Sequence, residues 1–155
     1  MRSGLVGAGP AGVITAIAIC NKSPEHTVSV DLYDQIEPFQ GRALNTRSER
    51  ILLNTSVGVS FVDPDQPEGF VDFLNERKQL HITERDVVPR DCAVDYLKDE
   101  FEIAEKNAKR TGFHIGTVTE VGVDKNLKLW SAVQSKRISY DAVGVTSGLC
   151  FKPPP

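Results

Sequence analysis

Residues 7–12 read Gly7-Ala8-Gly9-Pro10-Ala11-Gly12, between a short apolar run ending in Leu5-Val6 and a stretch of helical character. Each glycine answers a different demand. The first permits a sharp strand-to-helix turn, the second lets backbone come close to a pyrophosphate, and the third removes a side chain where helix and strand pack. Pro10 suits the first helical turn, because its missing N–H would have no intrahelical partner there. The helix N-terminus formed in this way presents unpaired N–H donors and a partial positive charge to an anion. A tight turn without a ligand is the simpler alternative for Gly7, Gly9 and Gly12.

The surroundings favour the ligand-binding reading. Ala11 to Cys20 is apolar nearly all round, as expected of a helix packed on a parallel sheet. A second strand, Thr27 to Tyr33, ends at Asp34. That acid follows the last glycine by about twenty residues, where a dinucleotide-binding fold sets a carboxylate for the ribose hydroxyls. An ordinary exposed or turn-forming acid is the alternative.

With 155 residues and 40% apolar content, the chain is long enough for one domain with a substantial core. A formal charge of −3 argues against nonspecific nucleic-acid binding, which needs a basic face. No apolar stretch is long enough to span a bilayer, and with the glycine turn so soon after Met1 no signal peptide is expected. Cys20, Cys92 and Cys150 are odd in number and scattered, which suits reduced thiols in cytoplasm. His26, His81 and His114 are equally dispersed, so no metal site is expected.

Residues 35–64 read as a long connection, of a length that is usually functional or disordered, and its apolar residues argue against disorder. Asp63-Pro64-Asp65-Gln66-Pro67 reads as a capped helix start, with Phe70, Phe73 and Leu74 as an apolar stripe. Val87 to Arg90 is another connection. Val94, Leu97, Phe101, Ala104 and Ala108 then repeat at helical spacing up to Gly112. His114–Asp124, Leu127–Gln134 and Arg137–Val145 have strand character, with a turn near Lys125-Asn126 and a closing buried strand in Asp141–Gly148. There is no internal repeat. The order predicts an α/β, Rossmann-like parallel sheet flanked by helices, with a small antiparallel β extension. Residues 1–150 form the dinucleotide-binding domain and 151–155 a tail ending in three prolines.

Several ordered marks resemble a known family. They are Gly7 to Gly12, Leu32-Tyr33-Asp34, Gly41-Arg42-Ala43-Leu44, Leu52-Leu53-Asn54-Thr55, Phe70 to Leu74, Pro89-Arg90 followed by Tyr96-Leu97, and Asp141 to Gly148. From Met1 to about Gly148 the chain resembles the FAD-binding segment of the FAD/NAD(P)-binding flavoproteins, which include glutathione-reductase-like enzymes and N-hydroxylating monooxygenases. More narrowly, it resembles a bacterial group described only as FAD-NAD(P)-binding. The resemblance implies FAD with its pyrophosphate on Gly9, Pro10 and Ala11 and its adenosine ribose at Asp34. Val118 would lie on the strand that meets the adenine, Arg42 near the phosphate or ribityl region, and Asn54-Thr55 toward the isoalloxazine ring. Ser147-Gly148 takes the place of the family's Ala-Thr-Gly element. The chain departs from the pattern in having Asp34 where Glu is frequent, Thr146-Ser147-Gly148 at the closing element, and no glycine in the turn before Arg137. It also stops where such enzymes continue into a second domain, which makes it either an N-terminal piece of a larger flavoprotein or a shortened product.

Weighed singly, Arg42 and Arg90 can pair with phosphate or lie on the surface, and Asn54 can meet the flavin edge or form a turn. Tyr96 and Trp130 read as packing residues, and Lys98-Asp99-Glu100 as a solvated helix face. The sequence offers no nucleophile, general-base set or metal set, as expected where a flavin carries the electrons. The leading expectation is the FAD-binding domain of an FAD-dependent, NAD(P)H-linked oxidoreductase or monooxygenase. FAD and a small-molecule substrate are its partners, completed by a C-terminal domain or a second copy. The alternative is a nucleotide-binding module or truncated remnant without turnover. An NAD-dependent dehydrogenase fits less well: Asp34 could hold an NAD ribose, but no Tyr has a Lys four residues later.

Overall fold

Strand β1 (Arg2–Val6) lies inside a four-stranded parallel sheet, bonded on one side to β2 (Ser29–Asp34) and on the other to β7 (Ala142–Val145). Strand β3 (Arg110–Ile115) pairs with the outer edge of β2, giving the order β3-β2-β1-β7. The computed structural model describes residues 1–39, 41–44, 50–59, 62–124, 129–133 and 136–148. The register sets Leu5 beside Leu32 and Leu32 beside Phe113, whereas Gly4, Asp31 and Gly112 share the next rung. Because strand side chains alternate, each face of the sheet has its own chemistry.

The apolar face carries Leu5, Val30, Leu32 and Phe113 and is covered by helices α1 (Pro10–Lys22) and α4 (Arg90–Glu105). Val13, Ala16, Ile17 and Cys20 form the buried stripe of α1, and Val94, Leu97, Phe101 and Ala104 that of α4. Pro24 follows close on α1, where its missing N–H discourages further helix. The other face is covered by an antiparallel sheet of β4 (Val118–Val123), β5 (Leu129–Val133) and β6 (Lys136–Tyr140), in that order. Tyr33 and Tyr140 are buried between the two sheets, with Val118, Ile138 and Val143 around them. Gly4 makes this possible, since a Cβ there would lie 2.9 Å from the Tyr140 ring. The expected antiparallel extension is therefore a layer over the parallel sheet.

Four local expectations need correction. The helix expected to reach Gly112 ends at Glu105, because Lys109 N–H already donates to the Val28 carbonyl at 2.8 Å and Arg110 opens β3. The strand expected over 114–124 is split at Gly116-Thr117, with β3 parallel to β2 and β4 antiparallel to β5. The strand expected over 137–145 is likewise split at Asp141. There the Asp141 N–H donates to the Arg2 carbonyl and its carboxylate accepts the Arg2 N–H, both at 2.8 Å, as the chain passes between sheets. Finally, the Asp63 carboxylate accepts the Asp65 N–H in a local turn, and helix α3 starts later (Gly69–Asp72), continuing as a π-helix over Phe73–Arg77. The stripe itself holds: Phe70, Phe73 and Leu74 are buried.

The long connection contains a short helix α2 (Gly41–Leu44) and a 3-10 turn (Val57–Val59). Its second half is laced to residues 84–90: Leu53 N–H to Val88 O, Val57 N–H to Asp86 O and Gly58 N–H to Glu84 O, each 2.9 Å. Tyr96 stacks on Phe70 at 4.9 Å, as a packing residue should. Trp130 lies in β5, its side chain outside the described residues, as are the turn at Lys125-Asn126 and the tail.

Candidate functional site

The turn leaving β1 is held by backbone that leaves no room for a side chain at Gly7 or Gly12. Gly7 has φ +107°, and a Cβ on it would lie 2.6 Å from the Thr146 carbonyl oxygen. Its N–H donates to the Tyr33 carbonyl at 2.7 Å. Gly9 caps α1 in extended conformation, its carbonyl accepting the Val13 N–H at 3.0 Å, and Pro10 is the first helical residue. A Cβ on Gly12 would lie 1.9 Å from the Gly7 carbonyl oxygen, so the third glycine serves the close packing expected of it. Gly9 differs from expectation in one respect. The direction of its absent Cβ leads to Gly41, whose Cα would be 3.3 Å away.

Two segments complete the enclosure. Asp34, at the end of β2, accepts the Ala8 N–H with Oδ2 and the Gln35 N–H with Oδ1, each at 2.7 Å. Thr146, just past β7, donates its hydroxyl toward the Val6 and Gly7 carbonyls at 3.1 and 2.9 Å. A cleft of about 640 Å³ lies between them, a size typical of small-molecule sites. Gly7, Gly9, Pro10 and Ala11 form one wall, Asp34, Ile36 and Gly41 another, and Thr146, Ser147 and Gly148 the third. The first N–H groups of an α-helix have no partner within it, and the first turn of α1 carries no acidic side chain to compete for them. An adjoining cleft of about 300 Å³ shares Gly7, Asp34 and Ser147 and adds Tyr33, Gly116 and Val118.

Of the residues singled out in the sequence, Gly7, Gly9, Pro10, Ala11, Asp34, Ser147 and Gly148 line the larger cleft and Val118 the smaller. Gly12 lies beneath the turn and lines neither. Arg42 follows Gly41 in α2, its side chain outside the described residues. Asn54 is exposed in the connection and lines neither cleft, and Arg90 donates its Nε to the Leu52 carbonyl at 3.2 Å. Ile36 was not singled out; Tyr33 and Thr146 stood in the motifs Leu32-Tyr33-Asp34 and Thr146-Ser147-Gly148 without a role at the ligand assigned to them.

A charged network adjoins Tyr33, which lines the smaller cleft. Asp31 is fully buried in β2; its Oδ2 accepts from Arg2 at 2.7 and 3.0 Å, and its Oδ1 from Arg110 at 3.0 Å. His114 Nε2 is 2.9 Å from the same Oδ1, and its ring stacks on Tyr33 at 4.8 Å. Burial pushes the Asp31 carboxyl up, but hydrogen bonds from His114 and Arg2 outweigh that and hold it below the usual value. The Tyr33 and Tyr140 hydroxyls bond each other, and burial pushes both phenols up. Among the described residues, no group of three or more His, Cys, Asp or Glu could hold a metal ion, and no helix is long and apolar enough to cross a membrane.

A parallel sheet whose first strand turns through bare glycines into a helix, with a carboxylate at the tip of the second strand, defines a dinucleotide-binding protein of Rossmann type. The sequence matches the FAD-NAD(P)-binding family over residues 4–149, and the chain belongs to that family. No protein of curated function matches it. Among solved structures, S-allyl-L-cysteine S-oxygenase from Allium sativum is similar, with TM-score 0.65 and 17% identity over 95% of this chain and 36% of that one. A cyclohexanone monooxygenase mutant from Rhodococcus sp. Phi1 bound to NADP+ gives TM-score 0.65 and 16% identity over 99% of this chain and 28% of that one. CtdE in complex with FAD and substrate 4 gives TM-score 0.60 and 16% identity over 96% of this chain and 38% of that one. At such identities the likeness is one of fold, and the chain spans 28% to 38% of these proteins.

Proposed function

We propose that the paired clefts hold FAD, and that the chain is the FAD-binding part of an NAD(P)H-linked oxidoreductase of monooxygenase type. The observation that carries this reading is the position of Asp34, which lines both clefts while fixing the glycine turn through Ala8. The ligand chemistry fits. Amides at the start of α1 suit a pyrophosphate, the Asp34 carboxylate suits ribose hydroxyls, and Val118 offers an apolar edge to an adenine. Backbone approach at Gly7 and Gly9 is unobstructed by side chains of their own, and Ser147-Gly148 closes the cleft from β7. Arg42, next to Gly41, is the candidate guanidinium for the phosphate or ribityl region.

FAD supplies electron-transfer chemistry when bound; the chain supplies attachment and orientation. The electron-donor and substrate sites are proposed to lie on further protein, a C-terminal domain or a second copy. That division agrees with the 28% to 38% span of the compared structures. The test is an absorbance spectrum of the purified protein, followed by FAD titration with NAD+ and ADP as comparators. Flavin absorbance retained through desalting supports the reading, and a protein that stays colourless after incubation with FAD overturns it. Reduction of the bound flavin by NADPH or NADH rules out a nucleotide-binding module without turnover and would place the electron-donor site on this chain.

A further inference from the structure

The chain leaving β2 is fastened to the glycine turn at three points. Asp34 Oδ2 accepts the Ala8 N–H at 2.7 Å, and the Ala8 carbonyl accepts the Phe39 N–H at 2.9 Å. Both polar groups of the Ala8 backbone are therefore taken by this one segment. Gly41 then lies so close to α1 that a Cβ on it would be 2.9 Å from both Gly9 Cα and Pro10 Cδ. On its outer side the segment has a single large anchor. The Phe39 ring packs on Phe101 of α4 at 5.8 Å and on Phe113 of β3 at 5.5 Å, and those two rings meet at 5.0 Å. Phe39 holds φ +69°, a region that bulky residues avoid unless the surroundings fix them there.

We infer that residues 34–39 together with Gly41 form a strap that sets the shape of the glycine turn, and that Phe39 and Gly41 are positioning residues for the bound dinucleotide's phosphates. A turn rich in glycine has many conformations of similar energy, and only one directs its amides into the cleft. The strap selects that one. Its own position is set at one end by the aromatic trio and at the other by the clearance at Gly41. The inference rests on the FAD reading of the cleft, but the mechanical part concerns the ligand-free chain.

Three variants test it: Phe39→Gly, Phe39→Leu and Gly41→Ala. Glycine accepts a positive φ and deletes the ring but adds backbone freedom of its own, so the loss in Phe39→Gly is read beside that in Gly41→Ala, which adds none. Gly41→Ala leaves the trio intact and pushes the strap from the other end. FAD affinity should fall about tenfold or more in Phe39→Gly and Gly41→Ala, and stay within about threefold of the parent in Phe39→Leu. In the ligand-free proteins, amide hydrogen exchange across residues 34–44 should speed up about tenfold or more in the first two variants only, with α4 amides unchanged. Should Phe39→Gly fail to fold, Gly41→Ala carries the same measurement. Parent-like exchange in a folded Phe39→Gly or Gly41→Ala overturns the strap. A parent that binds no FAD overturns the cofactor reading, and the exchange experiment still decides the strap.

Discussion

The Gly7 carbonyl oxygen occupies the place where a side chain on Gly12 would begin, since a Cβ there would lie 1.9 Å away. The obstruction is backbone, and the Thr146 Oγ1 stands 2.8 Å from the same point, so no rotamer change relieves it. Gly12→Ala should destabilise the protein by about 3 kcal/mol or more, the upper end for overpacking, read as a lowered urea midpoint. Gly9→Ala meets only Gly41 Cα, at 3.3 Å, and should destabilise by less than about 1 kcal/mol. Its effect should appear as weaker FAD binding instead. Equal stability losses in the two variants would contradict these separate roles.

Asp34→Ala should weaken FAD binding about 10- to 100-fold, because charge-assisted hydrogen bonds contribute about 1.5–3 kcal/mol each. Two bonds inside the protein go as well, from the Ala8 and Gln35 amides. Asp34→Asn keeps an oxygen for Ala8 while giving up the charge, so it should retain more of the affinity and most of the thermal stability. FAD titration beside a melting curve measures both. Equal losses in the two variants would mean that the carboxylate's charge carries the whole effect and a neutral acceptor at this position contributes nothing.

What could be read ahead in the chain was local. The glycine turn, Pro10 and Asp34 follow from spacing within one β-α-β unit, and the structure places them round one cleft. Helix α4 was legible from its stripe, but its end was not. Ala108 continues the helical spacing and is buried, yet β2 claims the backbone from Lys109 onward. Asp31 gave no signal, because a lone acid in a strand reads as solvent-facing. The partners that make its burial tolerable lie 29, 79 and 83 positions away. Phe39 was equally silent, since its ring partners belong to α4 and β3. Asn54 shows the converse: its local string suggested a role at the ligand, and only the tertiary path of the connection shows that it lines neither cleft.

Cys20 is completely buried in α1, where burial, with Glu105 adding to it, pushes its thiol up to about 11. At pH 8 about one molecule in a thousand would carry the thiolate, which is the reactive form. Iodoacetamide at pH 8 should leave Cys20 unmodified in the native protein and modify it once denaturant is added, as peptide mass spectrometry will show. Native-state labelling of Cys20 would mean that α1 opens from the sheet far more readily than its packing implies.

Asp31 links fold stability to pH. Its carboxyl lies below the ordinary value in the folded state, because hydrogen bonds from His114 and Arg2, with the Arg110 charge, outweigh the effect of burial. The unfolded chain therefore binds the proton more readily than the folded one. The stabilisation is complete above the unfolded carboxylate value of about 4, and is lost as pH falls through the lower folded value. Asp31→Asn removes the charge but leaves Arg2 and Arg110, whose side chains are 42% and 59% exposed and can turn to water. The loss above pH 4 should accordingly resemble that of charged hydrogen bonds, about 1.5–3 kcal/mol, not the larger penalty of stranding a buried cation. Urea unfolding of parent and variant at a series of pH values supplies the check. The gap between them should be open above about pH 4 and close below it, as Asp31 in the parent takes up its proton. A gap that persists unchanged into strong acid would mean that the network is held by packing around Tyr33 and Tyr140 and owes little to the charge on Asp31.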